Sequence, residues 1–212
     1  MSASTPTRAL LLSHGYCSSG GIWPPADFAQ PKREFLDPDA DRTNDEFAQI
    51  MLAQTTDLGS FGVVGHSQGG LAALQLFAYY TSGLDYAFGP RRIQSVASPY
   101  QGTPLAAFAA TCGTHNDLTP DEAALWLATI PSWARAEVYY WTVSNSGSAC
   151  NFFTDFLLTD PEDGVIERFR GALPGGNAMG HTTGWCHTTG MSDPACYTDH
   201  ARNHDMDANA AR

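Results

Sequence analysis

The stretch VVGHSQGG, residues 63–70, decides how this chain is read. Two β-branched residues run into Gly65, then His66, Ser67 and Gln68, then Gly69 and Gly70. A strand pattern, FGVVGHS (61–67), comes before the serine, and an Ala/Leu-rich pattern, QGGLAALQLFAYYTSG, follows it as a helix that Gly83 would close. G-x-S-x-G between a strand and a helix is the turn that lifts a serine hydroxyl above the end of a sheet. The glycines serve the close approach that a strained serine requires. The first helical turn offers unsatisfied N–H groups and the positive end of a dipole, which favour an oxyanion.

Working outward, RALLLSHG (8–15) reads as a buried strand, YCSSGGIWPP as a loop and REFLD (33–37) as a second strand. TNDEFAQIMLAQTTDLGS reads as a helix, opened by a capping box of Thr43 and Glu46. RRIQSVASP (91–99) and AEVYYWTVSN (136–145) are further strands, and a helix starts near Pro120 and stops before Pro131. Strands alternating with helices, with apolar runs in the strands, imply an α/β fold: a central, mostly parallel sheet with helices on both faces. Residues 1–212 read as one domain, with 1–7 as a disordered start and 182–212 as a polar C-terminal extension without amphipathic period.

Eleven Lys+Arg against 22 Asp+Glu give a formal charge of −11, which sets nucleic acid and anionic membranes aside as partners. No run of 18 apolar residues exists, so integral membrane association is not expected. The start MSASTPT has neither the basic nor the apolar part of a leader. Five cysteines and few lysines nevertheless point to a secreted or periplasmic protein. The cysteines fit no zinc spacing. Two disulfides and one free thiol are expected, with Cys112–Cys150 and Cys17–Cys186 as the preferred pairs. No metal site, no cofactor and a monomer are expected.

An acyl-transfer site needs a base, an orienting acid and oxyanion donors besides the serine. SHGY follows the first strand, and Gly15 lets the backbone N–H of Tyr16 turn toward an oxyanion; the other donor would be the N–H of Gln68. His14 reads as a structural hydrogen-bonder. LLTDPEDGVI (157–166) offers the acid: Asp163, before Gly164 and an apolar pair, is preferred over Asp160 and Glu162. Four histidines follow. His181, 18 residues beyond Asp163, is the expected base, and His187, 24 beyond, is the alternative. His200 and His204 read as a solvated tail or a weak metal site. Trp23, Tyr100 and Trp185 are candidates for lining a substrate pocket, though Trp185 reads equally as core.

LLLSHGY, VVGHSQGG, SVASPYQGTPLA, VYYWTVSNS and PEDGVI together resemble the bacterial lipases and esterases of the α/β-hydrolase superfamily. The resemblance covers roughly residues 8–181. It implies an α/β-hydrolase fold with Ser67 as nucleophile, the acid at Asp163 and the base at His181. HGYCSSG and GWCHTTGM resemble, more distantly, the hydrolase-like domain of conditioned medium factors, which implies an exported protein. Residues 103–135 are shorter and more Pro-broken than the lid segment of the lipases, which implies a small lid or none. The outer antiparallel strands are absent, the tail after His181 matches no terminal family helix, and a calcium site cannot be placed, Asp155 and Asp193 being weak candidates. The implied function is hydrolysis of a small-molecule, lipid or polymer ester. Acyl transfer or thioester hydrolysis by the same residues, or a non-catalytic binding or signalling module, are the alternatives.

Overall fold

The computed structural model describes residues 8–39, 41–108, 112, 116–145, 150, 157–191 and 194–212. Six strands, β1 (Arg8–Ser13), β2 (Lys32–Glu34), β3 (Ser60–His66), β4 (Ile93–Val96), β5 (Val138–Ser144) and β6 (Asn177–Thr183), form one sheet in the order β2-β1-β3-β4-β5-β6. All five pairings are parallel. The strand order reverses beside β1, so the carboxyl ends of β1 and β3 flank the crevice where open α/β sheets bind ligands.

Side-chain alternation splits the core in two. Ala9, Leu11, Phe61, Val63, Ile93 and Val138 face α1 (Asn44–Gln54), α2 (Gln68–Tyr79), α3 (Pro120–Thr129) and α4 (Ser132–Arg135). Leu10, Leu12, Val64, Val96, Trp141 and Val143 face Trp23, Phe28, Tyr197 and Met206, the last from α5 (His200–Asn209). Strands buried on both faces read as unbroken apolar runs, which is why β1 and β3 stand out in the sequence.

The capping box of α1 forms as the sequence implies. Thr43 Oγ1 accepts from the Glu46 N–H at 3.1 Å, and Glu46 Oε2 accepts from the Thr43 N–H at 2.9 Å. Gly83 does not close α2. The helix ends at Tyr79 with Tyr80 extended. Gly83 instead packs on β3: a Cβ there would stand 2.8 Å from the Phe61 ring, and its carbonyl accepts from the Phe61 N–H at 3.2 Å.

Two elements lie where the sequence shows no apolar run. β6, NAMGHTT, is an edge strand of intermediate and exposed residues. α5, HARNHDMDAN, buries Arg202, Asn203, Met206 and Asp207. Its inward face combines Met206, which enters the core, with side-chain hydrogen bonds. Asn203 Nδ2 donates to Asp27 Oδ2 at 2.8 Å and to the Tyr197 carbonyl at 2.9 Å. Asp207 accepts from the Ala29 N–H at 2.9 Å. His200 and His204 belong to this docking, through the Asp27 carboxylate and the Asp27 carbonyl respectively. The polar stretch after residue 181 thus covers one face of the sheet. The expected disordered start, 1–7, lies outside the described residues, as do Asp155 and Asp193.

Candidate active site

β3 ends at His66, and Ser67 turns the chain into α2 with φ +54° and ψ −130°. Such a backbone conformation costs about 1–3 kcal/mol and persists only where its surroundings enforce it. The Ser67 N–H donates to the Val96 carbonyl at 3.0 Å, and the Ser67 carbonyl accepts from the Gly70 N–H at 3.1 Å. A Cβ on Gly65 would lie 2.7 Å from the backbone of Gly69 and Gly70. A Cβ on Gly15 would overlap the Ser67 side chain, with Oγ only 2.9 Å away. The HGY loop therefore passes directly over the serine hydroxyl because residue 15 has no side chain.

His187 Nε2 lies 3.0 Å from Ser67 Oγ, and His187 Nδ1 lies 2.9 Å from Asp163 Oδ2. All three side chains are buried. Asp163 fills the turn that the Asp-Gly pair suggests. Its Oδ1 accepts from the N–H groups of Val165 and Ile166 at 3.0 and 2.7 Å, and Gly164 follows with φ +93°. The carboxylate can only accept from His187, so Nδ1 carries the hydrogen and Nε2 presents a lone pair to the serine hydroxyl. The Asp163 carbonyl also accepts from the His187 N–H at 2.8 Å.

His181, the expected base, is elsewhere. It sits on β6 opposite Thr142 of β5. Its Nδ1 meets Thr142 Oγ1 and its Nε2 meets Ser144 Oγ, each at 3.0 Å. Both ring nitrogens are engaged by the neighbouring strand. Burial, then the charge of Arg168, lowers its pKa from the ordinary histidine value. It borders a separate surface cavity with Tyr140, Arg168 and Phe169. A side chain in the middle of an edge strand does not reach the carboxyl end of β3. The chain must first leave β6, and His187 lies in the loop beyond.

Of the two expected oxyanion donors, Gln68 opens α2 and Tyr16 stands in the cavity wall. Gln68 is the first residue of α2, so its N–H belongs to the first helical turn, which has no intrahelical acceptors. Its side chain turns away from the serine, donating to the Arg42 carbonyl at 2.8 Å and to Asn44 Oδ1 at 3.3 Å. Tyr16 lines the cavity above Ser67. His14 is structural: its Nδ1 donates to the Gly15 carbonyl at 2.9 Å, and its ring packs against those of Phe35 and Phe47, which also touch each other.

The cavity over Ser67 and His187 measures about 510 Å³. Tyr16, Ile22, Leu105, Phe108, Leu157 and Met191 give it an apolar wall. Trp23, Tyr100 and Trp185 do not line it. Trp23 is core and donates Nε1–H to the Ser13 carbonyl at 3.0 Å. Tyr100 is fully buried, with its hydroxyl 2.8 Å from Ser95 Oγ. Trp185 packs at the edge of the core beneath the sheet. Among the described residues, no group of three or more His, Cys, Asp or Glu could hold a metal ion.

The disulfides are Cys17–Cys112 and Cys150–Cys186, with Cys196 free and buried, so both expected pairs are exchanged. The folded chain brings Cys150 to the acid turn, where a Cβ on Gly164 would stand 2.7 Å from the Cys150 Cβ. Cys186 immediately precedes His187. The second bridge therefore fastens the His187 loop to the Asp163 turn, and the first fastens the HGYC loop.

Residues 5–210 match the family described as the conditioned medium factor C-terminal domain. The chain belongs to that family. It is 42% identical over 224 residues to conditioned medium factor of Dictyostelium discoideum. The match covers 98% of this chain and 32% of that protein, so the chain spans about a third of the length of its relative. Among solved structures it is similar to the mature form of a Bacillus licheniformis lipase, with a TM-score of 0.64, 16% identity and coverage of 86% of this chain and 84% of that one. It is also similar to a metagenomic carboxyl esterase, with a TM-score of 0.63, 18% identity and coverage of 84% and 64%. A Staphylococcus hyicus lipase matches over 99% of this chain and 96% of its own length, at 12% identity and a TM-score of 0.54. These likenesses establish the α/β-hydrolase fold. The weight of the two sequence resemblances is thereby reversed: conditioned medium factor is the family, and the lipases share the fold.

Proposed function

We propose that this conditioned medium factor domain is a serine hydrolase acting on carboxylic esters through a Ser67–His187–Asp163 triad. The observation that carries the reading is the unbroken hydrogen-bonded chain from Asp163 through His187 to a Ser67 held in a strained turn. Ser67 Oγ attacks the ester carbonyl as its proton passes to His187 Nε2. Asp163 holds the imidazole in the required tautomer and stabilises its charged form. The N–H groups of Tyr16 and Gln68 receive the oxyanion, each worth about 3–4 kcal/mol in comparable sites. Collapse breaks the bond to the leaving alcohol, which takes the proton from His187. Water, deprotonated by His187, then releases the acid and restores Ser67.

The apolar cavity wall suits an acyl chain or an aromatic ester rather than a charged substrate. Two disulfides in one domain favour a secreted or periplasmic location. No described helix is long and apolar enough to cross a membrane. The triad chemistry requires no cofactor, and the acidic charge of −11 disfavours nucleic acid as a partner.

The family name supports a second reading, a binding or signalling module on a hydrolase fold. A fluorophosphonate probe separates the two. The proposal expects wild-type chain to be labelled covalently and Ser67→Ala to be blank. Unlabelled wild type, or equal labelling of both, rejects the hydrolase.

A further inference from the structure

His66 precedes the nucleophile, and sequence reading assigns it nothing. Its ring is buried, and its Nε2 lies 3.0 Å from the backbone carbonyl of His187. A carbonyl only accepts, so Nε2 carries a hydrogen and donates it. The two imidazoles stand 4.7 Å apart between centroids. The His66 ring also meets Tyr197 edge to face at 5.1 Å. Tyr197 in turn accepts from the Thr189 N–H at 3.1 Å, further along the base loop.

His187 lies outside every helix and strand, one residue beyond an isolated bridge that pairs Cys186 with Ala195, so its own N–H and C=O are not part of a ladder. Its N–H is held by the Asp163 carbonyl, and its C=O by His66 and, more weakly, by Cys196 Sγ at 3.4 Å. The peptide carrying the imidazole is thus clamped at one end by the acid residue and at the other by the residue beside the serine. Among the described residues, removing the His66 donor leaves that carbonyl the Cys196 thiol, a weak partner.

We infer that His66 is a positioning residue: its Nε2–H, bonded to the His187 carbonyl, holds the His187 imidazole on Ser67 Oγ. The inference rests on the hydrolase reading above. Burial, then the charge of His187, keeps His66 well below the ordinary histidine range, and Arg202 and His14 push the same way. His66 therefore stays a neutral donor while His187 is protonated, and the proton taken from Ser67 rests on one ring only.

The test compares His66→Met, which removes the donor at similar size, with His66→Gln, whose amide restores an N–H near the Nε2 position. Measured are kcat and KM for p-nitrophenyl butyrate, the rate of fluorophosphonate labelling, and near-UV circular dichroism as a check of folding. The Met variant should lose about 10- to 100-fold in kcat and in labelling rate with KM within about twofold, as expected for a base displaced by a fraction of an ångström. The Gln variant should recover most of that loss. Should the Met variant not fold, His66→Asn, polar but too short to reach the carbonyl, replaces it with the same expectation. A donor-free variant with wild-type kcat, or a Gln variant as impaired as the Met or Asn variant, overturns the inference. Wild type that neither turns over nor labels overturns the hydrolase reading itself, and with it the base that His66 would position.

Discussion

The edge strand β6 and the loop that follows it each carry a histidine, and the two histidines are six residues apart. On the strand, His181 has both ring nitrogens satisfied by hydroxyls of β5. In the loop, His187 has one nitrogen on a buried carboxylate and the other on a serine hydroxyl. Either side chain satisfies the order Ser, Asp, His along the chain. What separates them is where the backbone stops being a ladder. In a parallel sheet the chemistry gathers beyond the carboxyl ends of the strands, so a residue still paired in mid-strand serves the sheet.

The sharpest way to break this contrast is to delete each ring in turn. His187→Ala should lower turnover of p-nitrophenyl butyrate by about 10⁶-fold, the scale of losing a serine hydrolase's base. His181→Ala should stay within about threefold of wild type, since it touches no part of the cavity over Ser67. The reverse pattern would return the base to β6. Next in size is Asp163→Asn, which should cost about 10⁴-fold in kcat because the amide favours the wrong tautomer of His187. Near-normal kcat in that variant would mean that the carboxylate bond is structural.

Cutting the bridge that holds the loop sharpens the comparison differently. Cys150→Ser with Cys186→Ser should cost about 2–4 kcal/mol in urea unfolding. It should also lower kcat before the fold is lost, because the freed segment carries His187 and not His181. Equal loss of kcat and of the sheet's far-UV signal would argue that loop and strand unfold together.

The smallest effect concerns pH. Burial lowers the pKa of His66 and of His14 from the ordinary 6.5. Between that value and the depressed one, the unfolded chain takes up protons that the folded chain refuses. Stability is therefore full above pH 6.5 and falls as the pH drops below it, by up to about 1.4 kcal/mol per pH unit for each group. Melting temperature should fall accordingly between about pH 7.5 and about pH 5.5. His66→Gln should flatten that slope, and an unchanged slope would assign it to other groups.

Much of the fold is legible because burial leaves a strong mark. β1, β3, β4 and β5 are apolar runs between loops, and the glycines around Ser67 announce its turn. Asp163 is legible through the Asp-Gly turn chemistry that holds it. β6 is not, because an edge strand half in solvent needs no apolar run. α5 escapes for another reason: its buried side pairs Asn203 and Asp207 with distant backbone and carboxylate, contacts without a local signature. The disulfide pairs are a property of three-dimensional proximity that five cysteines in a row of letters do not encode. The one local hint for His187 is the cysteine before it, which marks a loop that has to be tied down.

Cys196 gives that loop a clock. It is the single thiol outside the two bridges, fully enclosed, and in contact with the carbonyl of His187. Burial raises its pKa from the ordinary thiol value, so the sheltered form is the unreactive one. Iodoacetamide can reach it only when the segment over it swings away. The alkylation rate of the folded chain therefore counts openings of the packing around Cys196, its contact with the His187 carbonyl included, with no label or added cysteine needed.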